Sequence, residues 1–267
     1  GFINRGASDL NVTSTADHWL GLALVGRDPG GYFPIIGSSK TPTNALSGLS
    51  ALSAVEKHRL MEGLQSGAQE MTDELGTPIC VRLIEFIELL CKWNRVHNLT
   101  SVDEPEKILT HHLLDSLSVA SFISGPNCLD VGSGAGFPGM VMAICFPQQN
   151  WTLAESKSKK AGFLREVKAH IGVKNLAIFE GRVEDYPGTV NFDTLTARAV
   201  SSLAGLLQMT GHLHHPMLRL VAMKGAYPHD ELEALSPEHR GNTEVFPVTV
   251  PGLSARRHIV KIRDLTG

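Results

Sequence analysis

A glycine-dense turn follows a short apolar segment near the middle of the chain. The stretch CLDVGSGAGFPGM, residues 128–140, has the pattern of a buried strand that ends at Val131 and enters the turn Gly132, Gly134, Gly136. Glycine turns of this kind let the backbone approach a bound nucleotide closely, and the helix that follows presents its N-terminus to the ligand. The pattern therefore predicts a nucleotide site where this strand ends, with Phe137 beside it.

Two carboxylates indicate which nucleotide the turn would bind. Asp130 lies near the carboxyl end of the strand, where open sheets bind their ligands, and it would repel a pyrophosphate. It would attract the cationic amino-acid end of S-adenosylmethionine. Glu155 ends the next strand, 19 residues after Gly136, which is about the spacing expected of a ribose-binding acid. The pair favours S-adenosylmethionine as cofactor, although either acid alone could be a turn cap or a solvated strand end.

A second interpretation of the same turn stays open. Gly134, Gly136 and Gly139 also satisfy the GxGxxG fingerprint of dinucleotide-binding proteins. A nicotinamide-dependent oxidoreductase would need a pyrophosphate at this turn. Binding of NAD(H) compared with binding of S-adenosylmethionine separates the two classes.

Two later segments are expected at the same edge of the sheet. The loop EGRVEDY, residues 180–186, follows the third strand and offers Val183 and Glu184 as contacts for an adenine ring. The segment FDTLTAR ends the fourth strand at Arg198. An arginine at the ligand edge of a parallel sheet is a candidate to orient the cofactor or the substrate.

Strands and helices that could position these residues alternate after Pro126. Helices are predicted near 138–146, 157–171 and 201–214, between short apolar strands. The last two strand segments, TEVFPVTVP and RRHIVKIRD, follow each other closely and should pair antiparallel. The predicted fold is α/β: a Rossmann-like, mostly parallel sheet with an antiparallel C-terminal edge hairpin, as in class I S-adenosylmethionine-dependent methyltransferases.

Composition divides the chain into three parts. Residues 26–50 are rich in Gly, Pro, Ser and Thr, so residues 1–48 are predicted to be a flexible extension or a segment added to the natural protein. Residues 49–125 carry helical periodicity through segments such as PICVRLIEFIELLCKWNRVHNLT and form an N-terminal helical section. Residues 126–267 form the cofactor-binding domain.

Charge and cysteine usage exclude several classes of protein. The formal net charge is −3, which argues against a protein that coats nucleic acid over its whole surface. Four scattered cysteines without a CxxC pair, and twelve histidines without metal spacing, predict buried thiols and no metal. No apolar run is long enough to cross a membrane, and no signal peptide is apparent, so a cytoplasmic protein is expected.

Basic side chains could still hold RNA locally. The segment SKSKKAGFLREVKAH and three later positions supply candidates for phosphate contacts, although such a run can equally be a solvated helix face. The predicted RNA-binding residues are Lys157, Lys159, Lys160, Arg165, Lys224, Arg256 and Arg257.

The motifs KWNRVHNLTSV, HHLLDSL, LDVGSGAGFPG, RVED, ARAV, MKG and RRHIVKI occur in this order between residues 50 and 265. With them the chain resembles the ribosomal RNA small-subunit methyltransferase G family, also called glucose-inhibited division protein B. The resemblance implies methylation of N7 of a guanine in the decoding-region loop of 16S ribosomal RNA. It also implies cofactor contacts at Gly132, Phe137, Val183, Glu184 and Arg198. Val200 departs from the pattern, where an aromatic residue is expected.

The residue types agree with N7 as the acceptor. The lone pair of N7 carries no proton, so attack on a methyl group needs alignment and no general base. The sequence lacks the Asn/Asp-Pro-Pro-aromatic tetrapeptide used on exocyclic amines and a Pro-Cys nucleophile. Arg198 is then an orienting residue. The expected partner is 16S ribosomal RNA or the small ribosomal subunit, and the protein is expected to be a monomer. A non-catalytic RNA-binding or assembly factor is the remaining alternative.

Overall fold

The computed structural model describes residues 52–72 and 75–265. The predicted extension, residues 1–48, lies outside the described residues, so its boundary stays a prediction. No helix among the described residues is long and apolar enough to cross a membrane.

A seven-stranded sheet forms the centre of the described structure. Its strand order is β3-β2-β1-β4-β5-β7-β6. Strands β1 to β5 are parallel, and β7 pairs antiparallel with both β5 and β6. This confirms the predicted fold class, including the antiparallel edge hairpin. The strands are β1 (Asn127–Val131), β2 (Asn150–Glu155), β3 (Leu176–Glu180), β4 (Thr194–Arg198), β5 (Arg219–Lys224), β6 (Thr243–Val250) and β7 (Leu253–Ile262).

The register of β1 brings the candidate residues to one edge. Val131 is the partner of Ala154 on β2 and of Ala197 on β4. Glu155 and Arg198 each follow one residue later, so they flank the point where the glycine turn leaves β1. The strands end together here, and parallel sheets bind their ligands at this edge.

Helices cover both faces of the sheet. The helical section contains α1 (Ala54–Gln69), α2 (Thr77–His97), α3 (Pro105–Ile108), a π-helical turn (Leu109–Leu114) and α4 (Asp115–Leu117). The sheet domain contains α5 (Gly139–Cys145), α6 (Ser158–Ile171), α7 (Leu203–Thr210), α8 (His229–Glu233) and α9 (Pro237–Gly241). The helical periodicity predicted for residues 49–125 includes the stretch where α3 and α4 lie. The structure interrupts it with the π turn, which periodicity cannot signal.

Two apolar clusters fix the helices on the sheet. One joins the helical section to α5 and α6, and its aromatic centre pairs Phe86 of α2 with Phe137 at 5.2 Å and with Phe163 at 6.2 Å between ring centroids. The other lies on the opposite face, where Leu129 and Val131 pack with α7. All four cysteines are buried and free, as predicted. The first cluster holds the π turn over the ligand edge of the sheet.

Candidate active site

The turn after β1 needs glycine at Gly132. Its φ angle of 64° lies in the left-handed region, which side chains with a Cβ rarely adopt. A Cβ at this position would also lie 2.8 Å from Cγ2 of Val200. Val200, the residue that departs from the family pattern, therefore packs directly against the turn.

Asp130 lies beneath the turn and not on a cavity wall. Its side chain is fully buried, and its two oxygens accept hydrogen bonds from the Gly139 N–H at 3.0 Å and the Thr196 hydroxyl at 2.9 Å. The carboxylate thereby ties the start of α5 to β4. The sequence suggested direct contact with the cofactor, but both oxygens face protein groups, so the structure indicates that Asp130 shapes the turn.

Glu155 also organises backbone. One carboxylate oxygen accepts the Gly134 N–H at 2.8 Å, and the other accepts the Lys157 N–H at 2.7 Å. The side chain therefore connects the glycine turn to the start of α6. Its oxygens keep further lone pairs, which is compatible with the ribose contact that the sequence predicted.

A cavity of about 640 Å³ opens above these groups at the carboxyl edge of β1 and β4. Of the predicted site residues, the structure places on its wall Gly132, Gly134, Phe137, Lys160, Arg198, Lys224 and Arg257. Gly136 packs below the turn against Met140 and Leu164. Val183 is buried and Glu184 exposed, in a short turn outside the cavity lining. The volume is in the ordinary range for small-molecule sites.

An ion network crosses one wall of the cavity. Asp115, whose side chain is 3% exposed, accepts from Nη1 of Arg198 at 3.0 Å and from Nε of Arg257 at 2.8 Å. Nη1 of Arg198 also donates to the His111 carbonyl at 3.1 Å. Arg257, predicted to bind RNA, is instead committed to a buried carboxylate. The π turn and the start of α4 place the His111 carbonyl, His112 and Asp115 at the end of β4.

His112 lies in this network as a neutral ring. Burial, reinforced by the charge of Arg198, lowers its pKa to about 4. Nδ1 of His112 lies 3.0 Å from the His111 carbonyl oxygen and 3.1 Å from Nη2 of Arg198, and Nε2 lies 2.8 Å from the Thr100 hydroxyl, so both ring nitrogens are engaged. The ring lies 4.8 Å from that of Phe137, and the guanidinium carbon of Arg198 lies 5.3 Å from the Phe137 centroid. Arg198 is therefore held from three sides.

Sequence reasoning missed Asp115 and Thr100 and assigned no role to His112. One signal was available for Asp115: it is an acid within the apolar run HHLLDSL. A buried carboxylate is tolerated only when it is paired. Its partners come from positions more than 80 residues away, so the sequence could not identify them.

Two of the remaining predicted RNA-binding residues are paired with acids. Arg165 pairs with Glu180 at 2.6 Å, and Lys224 pairs with Glu231 at 2.8 Å. Lys157, Lys159 and Arg256 are exposed. Within the described parts of the chain, no group of three or more His, Cys, Asp or Glu side chains could hold a metal ion.

The buried acid and the buried histidine predict opposite dependences of stability on pH. Burial outweighs the hydrogen bonds and raises the pKa of Asp130 to about 6, so its contribution to stability is full below pH 4 and is lost as the pH rises to 6. The lowered pKa of His112 has the reverse effect, because its contribution is present above pH 6.5 and is lost on acidification.

Asp130→Asn has no carboxyl to titrate, so its stability lacks this dependence on pH. The free energy of unfolding of wild type minus that of Asp130→Asn should therefore be about 3 kcal/mol smaller at pH 7 than at pH 4. Urea denaturation at several pH values measures this difference. Parallel pH profiles of the two proteins would contradict the assignment of a raised pKa to Asp130.

The fold and the cavity define the class of this protein. The sheet has five parallel strands, and the antiparallel strand β7 is inserted between β5 and β6. Together with the glycine turn after β1, this is the fold of a class I S-adenosylmethionine-dependent methyltransferase. A family model described as rRNA small subunit methyltransferase G matches residues 79–260.

Relatives carry the same description. The chain is 43% identical to Ribosomal RNA small subunit methyltransferase G of Nitrosomonas europaea over 212 residues, which is 78% of this chain and 98% of the relative. It is 42% identical to the protein of that name from Xanthomonas oryzae over 200 residues, covering 75% and 93%. For Methylobacillus flagellatus the identity is 40% over 201 residues, covering 75% and 97%.

The chain therefore belongs to the rRNA small subunit methyltransferase G family, and the resemblance inferred from its motifs is confirmed. It is an S-adenosylmethionine-dependent rRNA methyltransferase. The oxidoreductase and the non-catalytic factor are not favoured.

Proposed function

We propose that the protein methylates N7 of a guanine in 16S ribosomal RNA at the cavity above β1 and β4. The observation that carries this proposal is the state of the proton acceptors on the cavity wall. Asp115 is occupied by two arginines, and both ring nitrogens of His112 are engaged, Nδ1 by the His111 carbonyl and Arg198 and Nε2 by the Thr100 hydroxyl. Neither group is free to act as a base, and an N7 lone pair needs none.

The cofactor would lie across the glycine turn. Gly132 and Gly134 let it approach the backbone, and Phe137 and Arg198 line the same cavity. Asp130 and Gly136 hold the turn from below, and Glu155, which accepts the Gly134 N–H, would offer its remaining lone pairs to a ribose hydroxyl. Val183 and Glu184 follow β3 and would contact the adenine end. The glycine cradle, the cavity volume and the Glu155 carboxylate fit a nucleoside with a ribose diol.

S-adenosylmethionine supplies an electrophilic methyl group on a sulfonium. Transfer forms one N–C bond at N7 and breaks one S–C bond, and the positive charge passes from sulfur to the guanine ring. The site gains no net charge and no proton leaves the base, so the residues of the chain have to align the reactants and exclude water. Arg198, anchored by Asp115, the His111 carbonyl and His112, orients a reactant in this cavity.

Basic side chains around the cavity would hold the RNA. Lys160 and Lys224 lie on the wall, while Lys157, Lys159 and Arg256 are exposed and open to phosphates. Arg165 and Arg257 would have to exchange a carboxylate for a phosphate. The protein would act as a monomer, and a ribosomal substrate supports a cytoplasmic location.

Methyl mapping tests the proposal. Labelled S-adenosylmethionine and unmethylated small ribosomal subunits should yield 7-methylguanosine in 16S ribosomal RNA, identified by nucleoside mass spectrometry. Arg198→Ala should slow transfer about a hundredfold, because misplacing a reactant by about 1 Å has that cost. Cys128→Ser, a change at a buried thiol outside the cavity lining, should leave the methylated position unchanged. A methyl on an exocyclic amine or a pyrimidine carbon would refute N7 as the acceptor.

A further inference from the structure

A second pocket adjoins the active-site cavity on the β5 side. Its volume is about 440 Å³, and it shares Lys224 and Gly225 with the cavity. Its remaining wall comes from the segment that connects β5 to α8 and from the start of that helix, residues 226–231. A strand of nucleic acid whose target base enters the cavity could therefore continue directly into this pocket.

Tyr227 is the aromatic surface of the second pocket. Its side chain is 43% exposed, although the ring is held by two imidazoles. The His229 ring lies 4.4 Å away and tilted, and the His258 ring lies 5.6 Å away and edge-on. His258 is itself fixed, since its Nδ1 donates to the Gly225 carbonyl at 2.8 Å. A large ring that is held in place and open to solvent is suited to stacking against another planar ring.

Two charged groups have open hydrogen-bonding capacity, Asp230 in the pocket and Arg256 on β7, the strand that carries His258. The carboxylate of Asp230 is exposed in the same pocket, and within the described residues nothing donates to it. Arg256 lies two positions before His258 on β7, so its side chain leaves the sheet on the same side. It too is exposed, and no acid of the described chain pairs with it. Lys224, in contrast, is neutralised by Glu231.

The ring, the acceptor and the cation match the three parts of a nucleotide. An aromatic ring stacks on the face of a base, a carboxylate accepts from the N–H groups on its edge, and a guanidinium meets its phosphate. Sequence-specific RNA recognition uses this combination on unpaired bases, which expose both face and edge. A paired helix could not present a base to Tyr227.

We propose that this pocket binds an unpaired base adjacent to the target guanine in the ribosomal RNA. The base stacks on Tyr227, its N–H donors face Asp230, and its phosphate meets Arg256. The inference rests on the proposed function for the identity of the RNA. The segment after β5 would then hold the RNA strand while the target guanine lies in the cavity.

Steady-state methylation of unmethylated small ribosomal subunits tests the stacking contact. Tyr227→Ala should raise the KM for subunits about tenfold, because loss of one base–aromatic stack has an effect of that size. Tyr227→Phe keeps the ring and should stay within about twofold of wild type. The kcat and the affinity for S-adenosylmethionine should be unchanged in both. Met217→Ala is the matched control, since Met217 is 70% exposed at the opposite end of β5 and should alter nothing.

An unchanged KM in Tyr227→Ala would overturn the inference. So would an equal rise in the Phe variant, or a rise accompanied by weaker cofactor binding, since neither comes from a lost stack. Equilibrium binding of the same subunits, measured without S-adenosylmethionine, separates this inference from the proposed function. If wild type binds subunits and the Ala variant binds about tenfold more weakly, the base-binding role of the pocket is supported even where no methyl reaches N7. If wild type methylates N7 and both variants bind normally, the base-binding role is contradicted and the proposed function is not.

Discussion

Gly132→Val is expected to lower the affinity for S-adenosylmethionine about a hundredfold, the largest effect of any single change at the turn. The φ angle of 64° is strained for any residue with a Cβ and worst for a β-branched one. The added Cβ would also meet Val200 at 2.8 Å. The turn would have to move away from the cavity, taking with it the Gly134 N–H that donates to Glu155.

Isothermal titration with S-adenosylmethionine measures this effect, with circular dichroism to show that the variant is folded. Gly162→Ala is the matched control, because Gly162 lies in α6 without a left-handed φ angle, and a Cβ added there would meet nothing within 4 Å. It should bind normally. Gly132→Ala with Val200→Ala removes the clash but keeps the strain, so it should recover only part of the affinity. Normal binding by a folded Gly132→Val would place the cofactor elsewhere.

Much of the fold was predictable because its signals are local. Alternating strands and helices, the close spacing of the last two strands and the glycine turn each depend on a few neighbouring residues. Strand ends in a parallel sheet meet at one edge, so the amino-acid sequence alone was enough to place Glu155 and Arg198 together. Family motifs then added the expected chemistry.

What could not be predicted depends on long-range partners. Asp130 has the sequence position of a ligand contact, and only the contacts with Gly139 and Thr196 show that its oxygens face protein. Arg257 has the appearance of an RNA-binding cation, but it neutralises Asp115 from 142 positions away. The π turn is equally hard to predict, because π-helical segments are rare and occupy only a short part of a helix.

Asp115→Ala is expected to produce the largest loss of stability among changes at the cavity wall, about 3 kcal/mol in the free energy of unfolding. Its side chain is 3% exposed, and both partners are only about one-fifth exposed. Removing the acid leaves two guanidinium groups close together in a desolvated place without a counter-charge. Urea denaturation measures the loss. Glu180→Ala, which breaks the exposed pair with Arg165, is the control and should change stability by less than about 1 kcal/mol.

The same substitution should slow methyl transfer about a hundredfold at a temperature where the variant is fully folded, because Arg198 loses the carboxylate that fixes its direction. Arg257→Met distinguishes anchoring from charge. It removes the second arginine but leaves Asp115 paired with Arg198, so transfer to the guanine should be affected less than in Asp115→Ala. A double-mutant cycle between Asp115 and Arg198 should show strong coupling in the transfer rate, since each acts through the other. Additive effects would mean that Asp115 only stabilises the fold and that Arg198 finds its orientation without it.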